Sequence, residues 1–316
     1  MHQSAHPHDE KQGAAINSVI AAVALTGTKI AVGLLTGSLG ILAEAAHSGL
    51  DLVAALMTWM AVRISDRPAD QTHPYGHGKV ENLSALFETA LLVATCVWII
   101  WEAVHRLAHA WEFKVEVTAW SFIVIIFSIV IDVSRSRMLF RAARKFNSQA
   151  LEADALHFQT DIWSSAVVLL GLVGVLASRI PGAAFLLHAD AVAALVVAAI
   201  VVWVSFRMGF RTVQALLDAA PEGMTQKIKN AAESLPGVMD CHRIRVRYSG
   251  PRLFVDAHFT TDGGQTLREA HDLANRVEQT IQDIAPDADV TVHPEPPEDH
   301  RSPETPTTPE APDERP

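Results

Sequence analysis

The sequence predicts an α-helical membrane protein: six transmembrane helices followed by a small soluble α/β domain. The chain has 316 residues, is 49% hydrophobic, and its mean hydropathy is +0.20. Charged residues make up 19%, below the roughly 25% of soluble domains. Apolar and polar residues also separate along the chain. We therefore expect an N-terminal tail at 1–12, a membrane domain at 13–212, a soluble domain at 213–295 and a disordered tail at 296–316.

Six apolar segments are long enough to cross a bilayer, which takes about 20 residues per helix. Gly37 marks the turn between the first two, and polar or Gly- and Pro-containing stretches at 66–79, 141–147 and 180–182 separate later ones. The predicted spans are 13–36, 39–63, 80–108, 117–140, 152–178 and 186–208.

The distribution of Lys and Arg predicts how these spans are oriented, because basic residues concentrate on the cytoplasmic side. Arg106, Lys114 and Arg179 fall on one side. The opposite side is far more basic, so both chain ends and the soluble domain are expected in the cytoplasm. The basic side carries Lys11, Arg63, Arg67, Lys79, Arg135, Arg137, Arg141, Arg144, Lys145, Arg207 and Arg211.

The soluble domain is predicted from alternating and helical hydrophobic patterns. Residues 221–235 and 266–284 favour helices. Residues 240–248, 253–259 and 288–293 favour strands, and Ile244, Val246 and Tyr248 share one face of the first. The order αββαβ indicates a small open α/β sandwich. The net charge of −10 argues against nucleic acid as a partner.

The same pattern, His-x-x-x-Asp, occurs in the second and fifth spans, as His47/Asp51 and His157/Asp161. Positions four apart lie on one helix face, so each pattern pairs an imidazole with a carboxylate. Ionisable groups within a bilayer face the protein interior and are functional candidates. Two such pairs offer the four N and O ligands of a tetrahedral divalent metal. The alternative is that each pair is only a hydrogen bond between packed helices.

Three further acidic residues lie within the predicted spans. Asp132 is close in sequence to Arg135 and Arg137, which favours an ion pair over metal binding. Glu81 and Glu88 are seven residues apart and share a helix face. We expect Glu81 at the water boundary, whereas Glu88 is a candidate for lining a cation path.

Three segments of the chain resemble the cation diffusion facilitator family of divalent metal transporters. They are GSLGILAEAAHSGLD (37–51), RPADQTHPYGHGKVE (67–81) and DALHFQTD (154–161). The resemblance extends from Ile16 to His293. It implies six membrane helices in a lipid bilayer, a cytoplasmic metallochaperone-like domain, a homodimer and a transporter that is not an enzyme.

The resemblance implies that His47, Asp51, His157 and Asp161 form the transport site. Members with His-Asp on both helices typically carry zinc, so His47 points to zinc as the transported ion, with cadmium or cobalt as guests. Two imidazoles and two carboxylates also suit a borderline metal better than an all-oxygen site would. Cobalt, cadmium, iron or manganese as the main substrate remain alternatives.

The resemblance implies a second site in the loop between the second and third spans, with Asp70, His73 and His77 as ligands. The alternative is a solvated loop with incidental histidines. Lys79 matches a family lysine that pairs with an acidic residue after the sixth helix, and Asp218 fits that partner. We predict that the two form a charge interlock at the dimer hinge, where the membrane and cytoplasmic parts join.

The family also implies a binuclear site at the dimer interface of the cytoplasmic domain, where zinc acts as a regulatory ligand. The chain ends that domain with Glu295 where the family more often has Asp, and scattered surface histidines are the alternative. The expected ligands are His242, His258, His271, His293 and Glu295.

These features predict a zinc exporter that exchanges cytoplasmic zinc for protons by alternating access, in a cell membrane and most simply a bacterial inner membrane. One alternative is an intramembrane metalloenzyme. The sequence has no His-Glu-x-x-His motif to supply its general base, and all four positions around the metal are filled by protein. The other alternative is a membrane metal sensor that does not transport.

Overall fold

The computed structural model describes residues 7–37, 39–108, 119–177 and 189–297. They form two compact units, one reaching Ala219 and including Arg247–Arg252, the other formed by the rest of the chain from Ala220. The first unit has six long helices: α1 (Pro7–Thr36), α2 (Leu39–Ser65), α3 (Lys79–Ala108), α4 (Ala119–Phe146), α5 (Gln149–Ala177) and α6 (Ala189–Leu216).

The six helices confirm the predicted helical membrane domain. Within the described residues, stretches of α1, α2, α3 and α6 are long and apolar enough to cross a membrane by length and composition alone. Helices α4 and α5 carry more charge inside their apolar stretches, including Asp132 and Arg135 on α4 and Asp154 and Asp161 on α5. Those charged groups lie against other helices, where the bundle itself can satisfy them.

Two helices extend beyond the apolar stretches that predict them. Helix α1 begins at Pro7, so residues 7–12 are helical where the sequence predicts a tail, and Lys11 is only 3% exposed. Helix α4 continues to Phe146, through most of the stretch predicted to separate it from α5, and Asn147 turns the chain with φ 48°. A helix satisfies its own backbone hydrogen bonds, so it does not have to end where the apolar residues end.

The helices pack as neighbouring pairs, α1 on α2, α3 on α6 and α4 on α5, and α5 also contacts α2, α3 and α6. Gly37, with φ 66°, closes the short turn between α1 and α2, and Gly33 lets the two helices approach, since a Cβ there would lie 2.8 Å from Leu42 Cδ2. Phe158 and Leu139 are fully buried in the core between α4 and α5. Helix α5 is therefore the central element of the bundle.

We call the end of the bundle at which α1, α3 and α5 begin the basic end. It carries Lys11, Arg63, Lys79 and Arg144. Lys114 and Arg179, which the sequence assigns to the opposite side, lie outside the described residues, as does the predicted tail from residue 298 on.

The second unit confirms the predicted αββαβ order. Its elements are α7 (Met224–Glu233), β1 (Asp240–Ser249), β2 (Arg252–Thr260), α8 (Leu267–Ile284) and β3 (Asp289–Glu295). The sheet order is β1-β2-β3, and β2 and β3 run parallel with His258 opposite His293. Helix α8 starts at a capping box in which the Thr266 hydroxyl accepts from the Glu269 N–H and the Glu269 carboxylate accepts from the Thr266 N–H.

Val255, Ala257 and Phe259 alternate along β2 and are buried, so they form the apolar face of this strand. The alternation in β1 shifts by one residue. Cys241 and Val246 are both buried although they are five positions apart, because Arg243 between them has φ 50° and breaks the strict two-residue repeat.

Candidate metal sites

The structure brings the two His-x-x-x-Asp motifs together across the α2–α5 contact. His157 Nε2 lies 3.1 Å from Asp51 Oδ1 and 3.7 Å from Asp161 Oδ2. His47 Nε2 lies 3.7 Å from Asp161 Oδ1 and 4.0 Å from Asp51 Oδ1. Each imidazole thus faces both carboxylates. We call these four residues the inner cluster.

The spacing of the inner cluster suits a small divalent cation. Tetrahedral zinc binds N and O ligands at about 2.0–2.2 Å, which places neighbouring ligand atoms roughly 3.3 Å apart. The four measured separations run from 3.1 to 4.0 Å. Ligand atoms of His47, Asp51 and Asp161 all lie within 4.8 Å of one another. These three residues could therefore hold one ion, and His157, 3.1 Å from Asp51 Oδ1, lies beside them as the fourth candidate ligand.

The inner cluster is largely buried, and His47 is its most exposed side chain. The His157 and Asp51 side chains are 7% and 10% exposed, whereas that of His47 is 32% exposed. Asp161 Oδ2 and His157 Nδ1 have no hydrogen-bond partner within the described residues. Buried polar atoms are normally satisfied, so the Asp161 oxygen indicates capacity for a ligand in the cluster, whereas His157 Nδ1 is not the ring nitrogen that faces the carboxylates.

A cation and a further carboxylate, which sequence reasoning did not assign to this site, share its cavity. Lys29 of α1 is 4% exposed, and its Nζ donates to Ser48 Oγ at 2.8 Å, next to His47. Asp132 of α4 lines the same cavity. The rule that finds the His-x-x-x-Asp motifs, a charged residue inside an apolar span, applies equally to Lys29.

Asp132 also makes its predicted ion pair, with Arg135 Nη1 3.8 Å from Asp132 Oδ1. The Arg135 guanidinium is 3.5 Å from the centre of the Phe158 ring, and its Nη2 donates to Ser18 Oγ at 3.1 Å. Ser18 in turn donates to Asp154 Oδ2 at 3.2 Å. Arg135 is thus the cation that compensates the buried carboxylates of α4 and α5 on the basic-end side of the inner cluster.

A second buried network closes the basic end of the bundle. Lys11 Nζ contacts Glu81 Oε1 directly and lies 3.1 Å from Asp66 Oδ1. Ser65 Oγ donates to Glu81 Oε1 at 2.8 Å, and the Ser148 hydroxyl donates to Glu81 Oε2. We call these five residues the end cluster. Glu81 is fully buried, not at the water boundary where the sequence predicts it, because four chain segments converge on it.

The loop between α2 and α3 brings together the three residues predicted for the second site. Asp70 Oδ2 lies 3.4 Å from His77 Nε2, Asp70 Oδ1 lies 3.3 Å from His73 Nδ1, and the two rings are 4.4 Å apart. Hydrogen bonds from the Thr72 hydroxyl and the His73 N–H hold the pKa of Asp70 well below its usual value. The carboxylate is therefore ionised and oriented before any cation binds.

Lys79 and Asp218, the pair predicted to interlock, are in contact in the first unit. Lys79 Nζ lies 2.9 Å from Asp218 Oδ1 and 3.3 Å from the Leu216 carbonyl oxygen at the end of α6. Partial burial opposes ionisation of Asp218, but the hydrogen bonds and positive charges of Lys79 and Arg247 together outweigh it and lower the pKa of this carboxyl. The contact ties the start of α3 to the end of α6.

In the second unit, Glu295 at the end of β3 connects two histidines of neighbouring strands. Its Oε1 lies 2.7 Å from His258 Nδ1, and its Oε2 lies 3.0 Å from His242 Nε2. The hydrogen bond to His258 is the main reason that the pKa of Glu295 lies below its usual value. Ligand atoms of these three residues lie within 4.8 Å of one another. We call them the strand cluster.

Of the two other ligands predicted for the soluble domain, one lies next to the strand cluster and one lies away from it. His293 is adjacent, with its ring 5.1 Å from that of His258 and its Nε2 3.9 Å from Glu295 Oε1. His271 lies exposed on α8 and is not part of the cluster. Sequence reasoning missed Asp240, which accepts from His242 Nδ1 at 3.0 Å and so fixes which ring nitrogen of His242 faces Glu295.

Comparison with known proteins places both units in one family. Residues 15–217 match the model of the cation efflux transmembrane domain, and residues 220–297 match that of the cation efflux protein cytoplasmic domain. Together these matches span nearly all the described residues.

Several curated relatives share most of this chain. The cation-efflux pump FieF of Yersinia enterocolitica is 34% identical over 287 residues, which cover 90% of this chain and 92% of that one. FieF of Serratia proteamaculans is 33% identical over 291 residues with the same coverage. FieF of Shewanella oneidensis is 32% identical over 280 residues, 88% of this chain and 92% of that one.

Among solved structures, the chain is similar to variants of the MamM CTD. One in a nickel form is 25% identical and covers 25% of this chain and 100% of that one, with a TM-score of 0.24. Both family models and the extent of the FieF relatives agree with the motifs at 37–51, 67–81 and 154–161. The chain is therefore a member of the cation diffusion facilitator family of cation-efflux transporters.

Proposed function

We propose that this protein exports zinc from the cytoplasm in exchange for protons, with the inner cluster as its transport site. The observation that carries the proposal is that two imidazoles and two carboxylates, contributed in pairs by α2 and α5, meet inside the membrane domain at separations of 3.1–4.0 Å. Family membership supports divalent cation efflux in general. The residues of this chain support the choice of ion and counter-ion.

The ligand set favours zinc. Imidazole nitrogens suit borderline metals such as zinc, whereas carboxylate and carbonyl oxygens alone suit magnesium, calcium or manganese. The inner cluster offers nitrogen from His47 and His157 and oxygen from Asp51 and Asp161. Protein ligands occupy all four positions, which suits binding and release of an ion and leaves none open for a reacting water.

Proton exchange follows from ligand competition at the inner cluster. A metal can bind only deprotonated ligands, so metal binding releases protons and protonation expels metal. His157 Nε2 hydrogen-bonds to Asp51 Oδ1 at 3.1 Å, so the proton between them occupies the place that a metal ion needs. Zinc arriving from the cytoplasm would displace this proton, and protons from the other side would displace zinc.

We further propose that the protein works as a homodimer in a bacterial inner membrane with both termini inside. The bacterial relatives support the membrane, and the excess of Lys and Arg at the basic end supports that end as the cytoplasmic one. In this arrangement the strand cluster senses cytoplasmic zinc, and its occupancy shifts the population between conformations of the transporter.

Zinc flux into proteoliposomes under an imposed proton gradient tests the transport proposal. We expect zinc uptake that rises with the gradient and coincides with proton movement in the opposite direction. A sensor would bind zinc without flux, and an enzyme would turn over a substrate without flux. Absence of zinc flux, together with normal zinc binding by Asp51→Ala, would refute the proposal.

His47→Asp is expected to weaken the preference for zinc. The change replaces one imidazole by a third carboxylate, so the site becomes more suited to hard cations such as manganese. The ratio of zinc to manganese transport should fall at least about tenfold, which corresponds to about 1.4 kcal/mol. Competition flux assays measure this ratio, and His271→Asp, at an exposed position of α8, is the control. An unchanged ratio would show that His47 does not set selectivity.

Glu295→Gln is expected to weaken regulatory zinc binding without removing the transport site. The neutral amide keeps the shape of the side chain but loses the charge that faces His242 and His258. We expect isothermal titration of the full-length protein to lose its cytoplasmic-domain binding event or to weaken it by roughly 10–100-fold. His271→Ala is the matched control. Equal loss in both variants would place the regulatory ligands elsewhere.

A further inference from the structure

A buried carboxylate that the proposed mechanism does not use lies between the inner cluster and the basic end. Glu88 of α3 is 0% exposed, and the Thr58 hydroxyl of α2 donates to its Oε1. Thr58 follows Asp51 by seven residues, which corresponds to two helical turns or about 10 Å. Glu88 is therefore not one of the metal ligands but lies about two turns from them toward the basic end.

The contact between α3 and α5 also places Glu88 about two turns from the inner cluster, toward the basic end. Ala85 of α3 packs with Ala153 of α5 in one buried cluster. Glu88 is one turn beyond Ala85, and Asp154 directly follows Ala153 and precedes Asp161 by seven residues. Glu81, in the end cluster, lies a further two turns from Glu88 along α3. Carboxylates thus occur at intervals of about two turns from the basic end to the inner cluster.

Within the described part of the chain, Glu88 differs from its neighbouring carboxylates in making no ion pair with a lysine or arginine. Glu81 contacts Lys11, and Asp154 is joined to Arg135 through Ser18. Glu88 Oε2 has no hydrogen-bond partner within the described residues, and neither has Asp154 Oδ1.

The charged groups around Glu88 do not replace the missing cation. On α5, the like charge of Asp154 disfavours ionisation of Glu88. A protonated His157 favours it less strongly, and His157 faces Asp51 and Asp161. From α2 its contact is the uncharged Thr58 hydroxyl. On α6, which packs along α3, Arg211 contacts Glu152 and the Arg207 guanidinium lies 5.9 Å from the centre of the Trp203 ring.

An ionised carboxylate in this position would be costly. A buried charge without a partner is disfavoured by far more than a hydrogen bond can return, and such a group takes up a proton instead. A second carboxylate nearby adds to the effect, because two neighbouring carboxylates do not both ionise readily. The unpartnered Oε2 of Glu88 and Oδ1 of Asp154 are the positions at which a proton would be held.

We propose that Glu88 is a proton-binding site of the transport cycle, separate from the four metal ligands. This inference rests on the proposed zinc–proton exchange and extends it to a fifth residue. Glu88 is a neutral acid while the end cluster closes the path from the basic end. When α2, α3 and α5 separate there, water reaches the carboxyl, its O–H bond breaks, and the proton passes to that water as zinc enters.

Infrared spectroscopy of the full-length protein in lipid tests the protonation state directly. We expect a C=O stretching band of a protonated carboxylic acid at neutral pH that Glu88→Gln removes, since Gln keeps the shape and can still accept from Thr58. Glu152→Gln is the matched control, because Glu152 contacts Arg211 and should be ionised. A band that persists unchanged in Glu88→Gln would overturn the proposal.

The dependence of zinc flux on pH at the basic end tests the role in the cycle. In Glu88→Gln, the slope of the logarithm of the flux against pH should be smaller by about one, because one titrating group is lost. An unchanged slope would show that Glu88 does not exchange its proton during transport and would overturn its role. Loss of one bound zinc in Glu88→Gln would also overturn the proposal, because it would make Glu88 a metal ligand. Absence of flux from wild type would refute the transport function, while the infrared band would still report the proton on Glu88.

Discussion

Asp51→Asn is expected to abolish zinc transport. The Asp51 carboxylate faces both imidazoles of the inner cluster, with Oδ1 3.1 Å from His157 Nε2 and 4.0 Å from His47 Nε2. Asn has nearly the same shape but no charge. Loss of an outer-shell partner of a metal ligand already costs about 10–100-fold in affinity, so loss of a ligand should cost at least about 100-fold.

Zinc affinity by titration and zinc flux in proteoliposomes measure this effect. The matched control is Asp283→Asn, which neutralises an exposed carboxylate on α8 and should leave both quantities unchanged. Because Asn removes a buried charge without changing volume, the variant should remain folded. Wild-type flux in Asp51→Asn would show that the ion passes through the protein without using the inner cluster.

Lys11→Met is expected to cause the largest loss of stability among single changes at the basic end. Lys11 is 3% exposed and is the cation that faces Glu81 and Asp66. Removing one partner of a buried ion pair leaves an uncompensated charge and costs about 3–5 kcal/mol. Denaturant unfolding in detergent micelles measures the change in the free energy of unfolding.

Two further variants separate this effect from a general loss of surface charge. The double variant Lys11→Met/Glu81→Gln should recover most of the stability, because no unpaired charge remains on α3. Lys145→Met removes a similar cation from an exposed pair, with side chains 56% and 52% exposed, and should change stability by less than about 1 kcal/mol. Equal losses in Lys11→Met and Lys145→Met would contradict the importance of burial.

The position of Lys11 also shows that hydropathy along the chain does not predict contacts between distant residues. Residues 1–12 are polar, which predicts a tail, yet α1 begins at Pro7 and Lys11 contacts a residue 70 positions away. Hydropathy describes one residue and its neighbours, so it cannot show that a cation has a distant buried partner. For the same reason it places Glu81 at the water boundary.

The candidate ligands were more accessible to sequence reasoning than their surroundings. The His-x-x-x-Asp spacing fixes two side chains on one helix face, whatever the rest of the fold. It carries no information on Lys29, which comes from α1 to line the same cavity as Asp51 and Asp132. His271 shows that residue type and domain alone can also mislead. It is a histidine of the soluble domain, but it is exposed on α8 and lies apart from the strand cluster.

The sequence by itself determined the six-helix membrane domain, the αββαβ domain and the residues able to bind a metal. These depend on the period of a helix or strand and on the chemistry of each side chain, which are local properties. Only the tertiary structure decided which of those residues meet and which charges are compensated. Three features depend on how separate helices pack, and no spacing along the chain contains that information. They are the 3.1 Å contact of His157 with Asp51, the pairing of Glu81 with Lys11, and the Glu88 Oε2 that has no hydrogen-bond partner among the described residues.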